Sequence, residues 1–441
     1  MKKQNINHYF LYVMLLAFSF VKAQNLVTTE QAIELALDNN YGIKIANNTV
    51  EEAKNNQSVL NSGFLPTLDG VAGAVYNRDN IAAEFSNGGS TALDGAESSR
   101  YNAALNLNYT LFDGLGRLYN YKSLKETYNL TEVQARETIE NTIVQLLTIY
   151  YDVAKQSENV SSLKTTLDIS KDRLERASYQ FDYGQNTKLD VLNAEVDINN
   201  DSINLINSRQ ALINAKRDLN FVTGNTISGI FEVDTKLDFL LSLNKEELLE
   251  KLKTNNAALI QVEKNIKINE FTIKANKSGY LPSIGLTGTY GWNENNNNPA
   301  AFVAVLTNTG ISAGVNLTWN LFDGGNTITR VKNAQIALEN QKLQKEQLVL
   351  SIVRDFENAW DDYQNKLKVF DIQQNNIITA TNNFERTEEK FKLGQVTSIE
   401  FRTAQLNLLA AELRRNEAKY DAKLAEIVVL QLSGELLNTS F

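Results

Sequence analysis

Two periodicities alternate along this chain. From Tyr101 to Leu111 the odd positions carry Tyr, Ala, Leu, Leu, Tyr and Leu, while Asn102, Ala104, Asn106, Asn108 and Thr110 fill the even ones. Alternation of this kind predicts a strand with one apolar and one polar face. The stretch Ile311 to Leu321 keeps the same parity, with Ile311, Ala313, Val315, Leu317, Trp319 and Leu321 set against Ser312, Gly314, Asn316, Thr318 and Asn320. Weaker versions follow two Leu-Pro pairs, as Leu68, Gly70, Ala72, Ala74, Tyr76 and as Ile284, Leu286, Gly288, Tyr290, Trp292. Four strands are expected, paired through polar loops over 77–100 and 293–310. Each is about the length that a tilted strand needs to cross a bilayer. Tyr76, Tyr109, Phe112, Trp292, Trp319 and Phe322 fall near the predicted strand ends, as the aromatic girdles of membrane barrels do.

The other period is seven. Leu146, Val153, Val160, Leu167, Leu174 and Phe181 form one series, and Phe356, Tyr363, Phe370, Ile377, Phe384 and Phe391 another. Strict seven-residue spacing predicts coiled-coil packing within long helices. Those helices are expected to run from Leu115 to about Tyr183 and from Gly325 to Leu393, roughly 100 Å each at 1.5 Å per residue. After each Gly-Gln turn a returning helix is expected, one with its seam on Leu189, Val196 and Ile203, the other on Ile399, Leu406, Leu413, Tyr420 and Ile427. They should stop near Gly224 and Gly434. Single helices are expected before each Leu-Pro, over 29–62 and 245–278, capped by Thr28 and Asn244. Narrow apolar stripes flanked by Asn, Gln, Lys, Glu, Ser and Thr suit the wall of a hollow tube; a solid coiled-coil stalk is the alternative.

The chain is also written twice. Ser62-Gly63-Phe64-Leu65-Pro66 recurs as Ser278-Gly279-Tyr280-Leu281-Pro282, and Leu111-Phe112-Asp113-Gly114 as Leu321-Phe322-Asp323-Gly324. Further on, Glu175-Arg176 pairs with Glu385-Arg386, Gly184-Gln185 with Gly394-Gln395, Asp190 with Glu400 and Gly224 with Gly434. Such a register implies an internal tandem repeat, a far longer unit than solenoid repeats use. The expected organisation is a signal peptide at 1–23, a first repeat over 24–224, a connection over 225–244 and a second repeat over 245–441.

Composition then narrows the function. Of 441 residues, 3 are proline, none is cysteine and the one histidine is His8. Scarce proline permits long helices. Absent cysteine excludes thiol chemistry, Cys-ligated metals and lipid attachment at an N-terminal Cys. Lys2 and Lys3, an apolar run over Tyr9 to Val21, and Val21-Lys22-Ala23 before Gln24 read as an export signal. Its removal would take the imidazole with it. The formal charge of −9 argues against nucleic-acid binding. No paired-carboxylate motif rises above a solvated helical face, so the chain reads as no enzyme, and no cofactor or metal is implied. No stretch after the signal is long and apolar enough for a transmembrane helix. Four strands are also too few to close a barrel, for which roughly eight is the practical minimum. If the strands lie in a membrane, several chains must pool them.

At this point the sequence resembles the outer membrane efflux proteins, the TolC-like exit ducts of Gram-negative bacteria. The resemblance rests on both Ser-Gly-aromatic-Leu-Pro segments, both Leu-Phe-Asp-Gly segments and both Gly-Gln-x-Thr turns, and covers nearly all of 24–441. It implies an α+β membrane protein: a homotrimer with a shared twelve-stranded barrel in outer-membrane lipid, four strands per chain, continued by a periplasmic barrel of coiled-coil helices. It implies a passive duct for multidrug efflux or type I secretion, working with a periplasmic adaptor and an inner-membrane RND or ABC transporter. In the family the turns between long and returning helices form the periplasmic tip, where the adaptor docks. Those turns are Tyr183, Gly184, Gln185 and Thr187, and Leu393, Gly394, Gln395 and Thr397. Six residues past each turn glycine stands an acid, Asp190 or Glu400, a candidate gate acid in each repeat; the family's gate carries an aspartate at that spacing in its second repeat, where this chain has Glu400, and Thr403 replaces a further family acid. Both acids fit equally well as ordinary helix N-terminal acids. A surface coiled-coil protein of structural or adhesive function is the alternative reading.

Overall fold

The structure is a computed structural model that describes residues 25–240 and 243–439. The expected signal peptide, residues 1–23, lies outside the described residues. The elements run β1 (Asn25–Val27), α1 (Thr29–Asn39), α2 (Tyr41–Asn56), β2 (Thr67–Glu84), β3 (Ser90–Asp113), α3 (Gly116–Asp182), α4 (Lys188–Val222), β4 (Phe231–Val233), α5 (Lys245–Asn255), α6 (Ala257–Lys277), β5 (Ser283–Asn296), β6 (Val305–Thr318), α7 (Asn326–Lys392) and α8 (Ser398–Ser433). Two compact units share them. One holds the described residues up to Asn47, Ala135–Leu259 and those from Val349 onward; the other holds Asn48–Gln134 and Ile260–Leu348.

The second unit contains an antiparallel sheet in the order β2-β3-β5-β6. Its register gathers the apolar parities of all four strands on one face. Gly70 pairs with Leu105, Leu105 with Tyr290, and Tyr290 with Ile311. One step along, Leu68 pairs with Leu107, Leu107 with Gly288, and Gly288 with Ala313. The opposite face carries Asn102, Asn106, Thr287, Thr289, Ser312 and Asn316, with Thr289 Oγ1 donating to Asn106 Oδ1 at 2.9 Å. A one-residue slip would exchange the two faces, so this patterning fixes the register. The outer strands β2 and β6 each have one edge with no partner among the described residues.

The strands differ from expectation at their ends. The ladder between β2 and β3 continues to Glu84 and Ser90, so the predicted loop over 77–100 shrinks to 85–89 and Tyr76 sits mid-strand. Likewise the loop over 293–310 shrinks to 297–304. At the other end β6 stops at Thr318, leaving Trp319 and Phe322 beyond it, while Tyr109 and Phe112 lie within β3 and Trp292 within β5. Pro66 and Pro282 immediately precede β2 and β5, where a missing N–H removes no ladder bond.

Each Phe-Asp-Gly segment turns the chain into a long helix. Asp113 Oδ2 accepts from the Arg117 N–H at 2.9 Å, and Arg117 also donates to Gly63 O and Thr110 O. Asp323 Oδ2 accepts from the Thr327 N–H at 2.8 Å in the same way. Both long helices have 67 residues. Of the predicted seams, Leu146, Val153, Leu167, Phe356, Tyr363 and Phe384 are buried. The seam expected on α4 is not, since Leu189, Val196 and Ile203 are exposed and the buried residues are Val191, Ala194, Asp201, Leu205, Ala215, Leu219 and Val222.

The single helices expected over 29–62 and 245–278 are each broken, at Asn40 and at Asn256. Asn40 ends α1, caps α2 by accepting from the Gly42 N–H at 2.8 Å, and donates through Nδ2 to Val222 O at 2.9 Å. Asn256 does the same for α5 and α6, accepting from the Leu259 N–H and donating to Leu432 O at 3.0 Å. An asparagine whose side chain starts the next helix and bonds the end of another, while its backbone N–H closes the helix before it, outweighs helix continuity.

A core in the first unit joins α1, the middle of α3 and the ends of α4 and α8 to a small parallel pair, β1 with β4, which the sequence did not predict. Tyr150 sits at its centre. Its hydroxyl donates to Val27 O at 2.9 Å and accepts from the Asp234 N–H at 3.1 Å, and burial pushes its pKa up to about 12. Nearby, α8 holds the connecting segment by its backbone: Lys419 donates to Thr235 O, Lys423 to Asp238 O, and Glu426 accepts from the Leu240 N–H.

Candidate functional site

The two helical turns singled out in the sequence share one construction. At the first, the Gln185 N–H reaches Gln180 O at 2.7 Å and the Gly184 N–H reaches Phe181 O at 2.9 Å. At the second, the Gln395 N–H reaches Lys390 O at 2.8 Å and the Gly394 N–H reaches Phe391 O at 3.1 Å. Both are Schellman motifs with glycine in the left-handed region, φ 71° at Gly184 and 73° at Gly394. Neither glycine has neighbours within 4 Å of a notional Cβ, so backbone conformation and not crowding selects it. Tyr183, Gln185, Thr187, Leu393, Gln395 and Thr397 are exposed around them.

Thr187 and Thr397 then start the returning helices. Asp190 Oδ2 accepts from the Thr187 N–H at 3.2 Å and from its hydroxyl at 2.7 Å. Glu400 Oε2 accepts from the Thr397 N–H at 2.7 Å and its hydroxyl at 2.9 Å, while the Glu400 N–H donates back to Thr397 Oγ1 at 3.2 Å. Bonds from the Thr397 backbone and then its side chain hold the Glu400 carboxyl below its ordinary pKa. The helix-capping role left open for both acids is thus built in the structure.

Behind the turns lies a polar cluster that sequence reasoning missed. Arg402 of α8 donates through both Nη atoms to Asp201 of α4 at 2.8 Å, and Ser170 of α3 donates to the same carboxylate at 2.6 Å. Gln405 Nε2 donates to Thr166 O at 2.8 Å and to Ser170 at 3.1 Å, and Arg173 pairs with Asp197. Asp201, Ser170, Arg173 and Gln405 are buried. The cluster ties the second hairpin to the first. Within each helix its members stand three or four residues apart, but they belong to three helices that meet only in the fold, so no local pattern in the sequence brings them together.

Among the described residues no group of His, Cys, Asp and Glu side chains is placed to hold a metal ion, and no helix is long and apolar enough to cross a membrane. The amphipathic sheet and the hairpin turns are the features left to carry function. Comparison with known proteins decides the family. A model of the family described as outer membrane efflux protein matches residues 32–225 and again 248–435. The chain belongs to the outer membrane efflux protein family.

Its relatives agree. The outer membrane protein TolC of Vibrio cholerae is 24% identical over 378 residues, 85% of this chain and 83% of that protein. The outer membrane efflux protein BepC of Brucella suis is 20% identical over 416 residues, covering 93% and 86%. Among solved structures, the Campylobacter jejuni CmeC outer membrane channel superposes with a TM-score of 0.76 at 17% identity, over 92% of this chain and 86% of that one. This outer membrane efflux protein is accordingly an outer-membrane exit duct for efflux. Its family members are channels and not enzymes.

Proposed function

We propose that the protein works as a passive homotrimeric duct. Three chains pool four strands each into a twelve-stranded barrel in outer-membrane lipid, and their helices form a coiled-coil barrel extending into the periplasm. Each chain is read as two repeats, 24–224 and 245–441, joined by a connection over 225–244. A periplasmic adaptor docks at Tyr183, Gly184, Gln185 and Thr187 and at Leu393, Gly394, Gln395 and Thr397, and an inner-membrane RND or ABC transporter supplies the energy. Asp190 and Glu400, which shape those turns, place carboxylates beside the gate, and adaptor binding biases the tip between closed and open arrangements.

The observation that carries this reading is the sheet. An apolar face spanning four strands, with both outer edges unpaired among the described residues, is unstable in water and in lipid unless further strands close it. The exposed stripe of Leu189, Leu192, Val196, Ile203, Ile206 and Ile213 on α4 also asks for a helical neighbour, which a second copy supplies. A surface stalk or adhesive coiled coil has no need of such a sheet. The test is conductance of the purified protein in a planar bilayer together with its mass in detergent. A trimer that conducts, and conducts more when Gly184 and Gly394 are altered, supports the duct; a monomer, or a trimer silent in both forms, overturns it.

A further inference from the structure

The two helical turns do not end level. The carbonyl of Lys392, the last residue of α7, accepts a hydrogen bond from Arg176 Nη2 at 2.6 Å, and the Arg176 guanidinium lies 5.5 Å from the centre of the Phe391 ring. Arg176 stands six residues before the end of α3 at Asp182. At about 1.5 Å per residue, the first turn therefore runs about 9 Å beyond the second. The returning helices are offset in the same sense: Arg402, the fifth residue of α8, grips Asp201, the fourteenth of α4. The buried cluster around Asp201, Ser170 and Gln405 holds this stagger in place.

What projects is also chemically distinct. Tyr179, Phe181 and Tyr183 are exposed on the first hairpin, beside a groove of about 510 Å³ lined by Asp172, Glu175, Arg176, Tyr179, Gln180 and Tyr183. Around the second turn the exposed apolar side chains are the aliphatic Leu393 and Ile399. Arg176 is already engaged with Lys392 O and Phe391, whereas Asp172 and Glu175 have no ion-pair partner among the described residues. Rigid aromatics beside unpaired carboxylates are what a docking helix with a basic side chain requires.

We infer that the two turns are unequal docking sites. The first turn and its groove take the end of an α-helical hairpin of the adaptor, with a basic side chain set between Asp172 and Glu175, and the second turn adds little to affinity. This rests on the adaptor-docking reading above. The test uses the trimer in lipid nanodiscs and purified periplasmic adaptors from the same genome, with affinity measured by interferometry. Tyr183→Asp and Glu175→Arg should each weaken binding about tenfold or more, as loss of an interface anchor does, and Leu393→Asp should change it less than about twofold. Both sites are exposed, and an unchanged trimer mass with an unchanged circular-dichroism melt confirms that each variant is folded. Equal losses at the two turns, or a larger loss for Leu393→Asp, overturn the inequality while docking stands. Failure of every adaptor to bind the wild-type trimer overturns the docking reading itself.

Discussion

Arg402 and Asp201 face each other as a two-pronged pair, with Nη1 and Nη2 each 2.8 Å from one carboxylate oxygen and side-chain exposures of 12% and 3%. Removing one partner strands the other charge in a buried site, which costs about 3–5 kcal/mol, whereas replacing both by apolar groups is often close to neutral. Arg402→Ala and Asp201→Ala should each lower the thermal midpoint of the protein substantially. The pair Arg402→Met with Asp201→Leu should recover most of that loss. Additive losses in a double-mutant cycle would show that the two do not act as a unit.

This cluster also marks where the sequence stops being legible. Strand parity, the heptads at Leu146 and Phe356, and the duplicated turns can all be read because each is a local pattern repeated at fixed spacing. The register that places Leu105 opposite Tyr290 follows from the parity, since one face must be apolar throughout. Arg402 and Asp201 are 201 residues apart and belong to no period, so nothing local announces them. The breaks at Asn40 and Asn256 were readable in principle: Asn39-Asn40 and Asn255-Asn256 stand at matching places in the two halves. Their bonds to Val222 and Leu432, by contrast, exist only once the helices have folded together. The seam predicted on α4 shows a different limit. Heptad spacing identifies an apolar stripe but not its partner, and here the stripe faces outward from the single chain.

Gly184 and Gly434 share a positive φ, 71° and 73°, yet should respond differently to alanine. At Gly184 a Cβ meets nothing within 4 Å, so Gly184→Ala costs only the left-handed backbone preference, about 1–2 kcal/mol. At Gly434 the Cβ would lie 2.5 Å from Asn255 O and 2.6 Å from its carbonyl carbon, both backbone atoms that cannot swing aside. Gly434→Ala should therefore displace α5 and lower the thermal midpoint well beyond the effect of Gly184→Ala. Equal midpoints for the two variants would contradict this contact.

The two faces of the sheet should differ in their tolerance of charge. Val315 pairs with Leu286 on the apolar face, whereas the adjacent Asn316 points to the other side. Arginine on the lipid face of a barrel near the midplane costs about 2–4 kcal/mol, and a lumen position does not carry that penalty. Val315→Arg should reduce the yield of folded protein in lipid vesicles, and Asn316→Arg should leave it near wild type. If Asn316→Arg proves the more damaging, the apolar face is not the one that meets lipid.

Acid should loosen the second turn through Glu400. Its carboxyl is held below the ordinary carboxylate pKa by the Thr397 N–H and hydroxyl. A folded-state pKa depressed in this way gives stabilisation that is fully present above the unfolded value, about 4.3 for glutamate, and is lost as pH falls through the lower folded value. Protonation weakens the carboxylate's bonds to Thr397 and removes the negative charge that favours this end of α8. Hydrogen exchange at the first turn of α8 should therefore be steady at neutral pH and accelerate only as the pH falls below about 4.3 in the wild type, after correction for intrinsic rates. In Glu400→Gln the amide oxygen still accepts from Thr397 but nothing titrates, so the turn should exchange faster than wild type at neutral pH and gain little further from acid. An acid-induced change of the same size in Glu400→Gln would place the titrating group elsewhere.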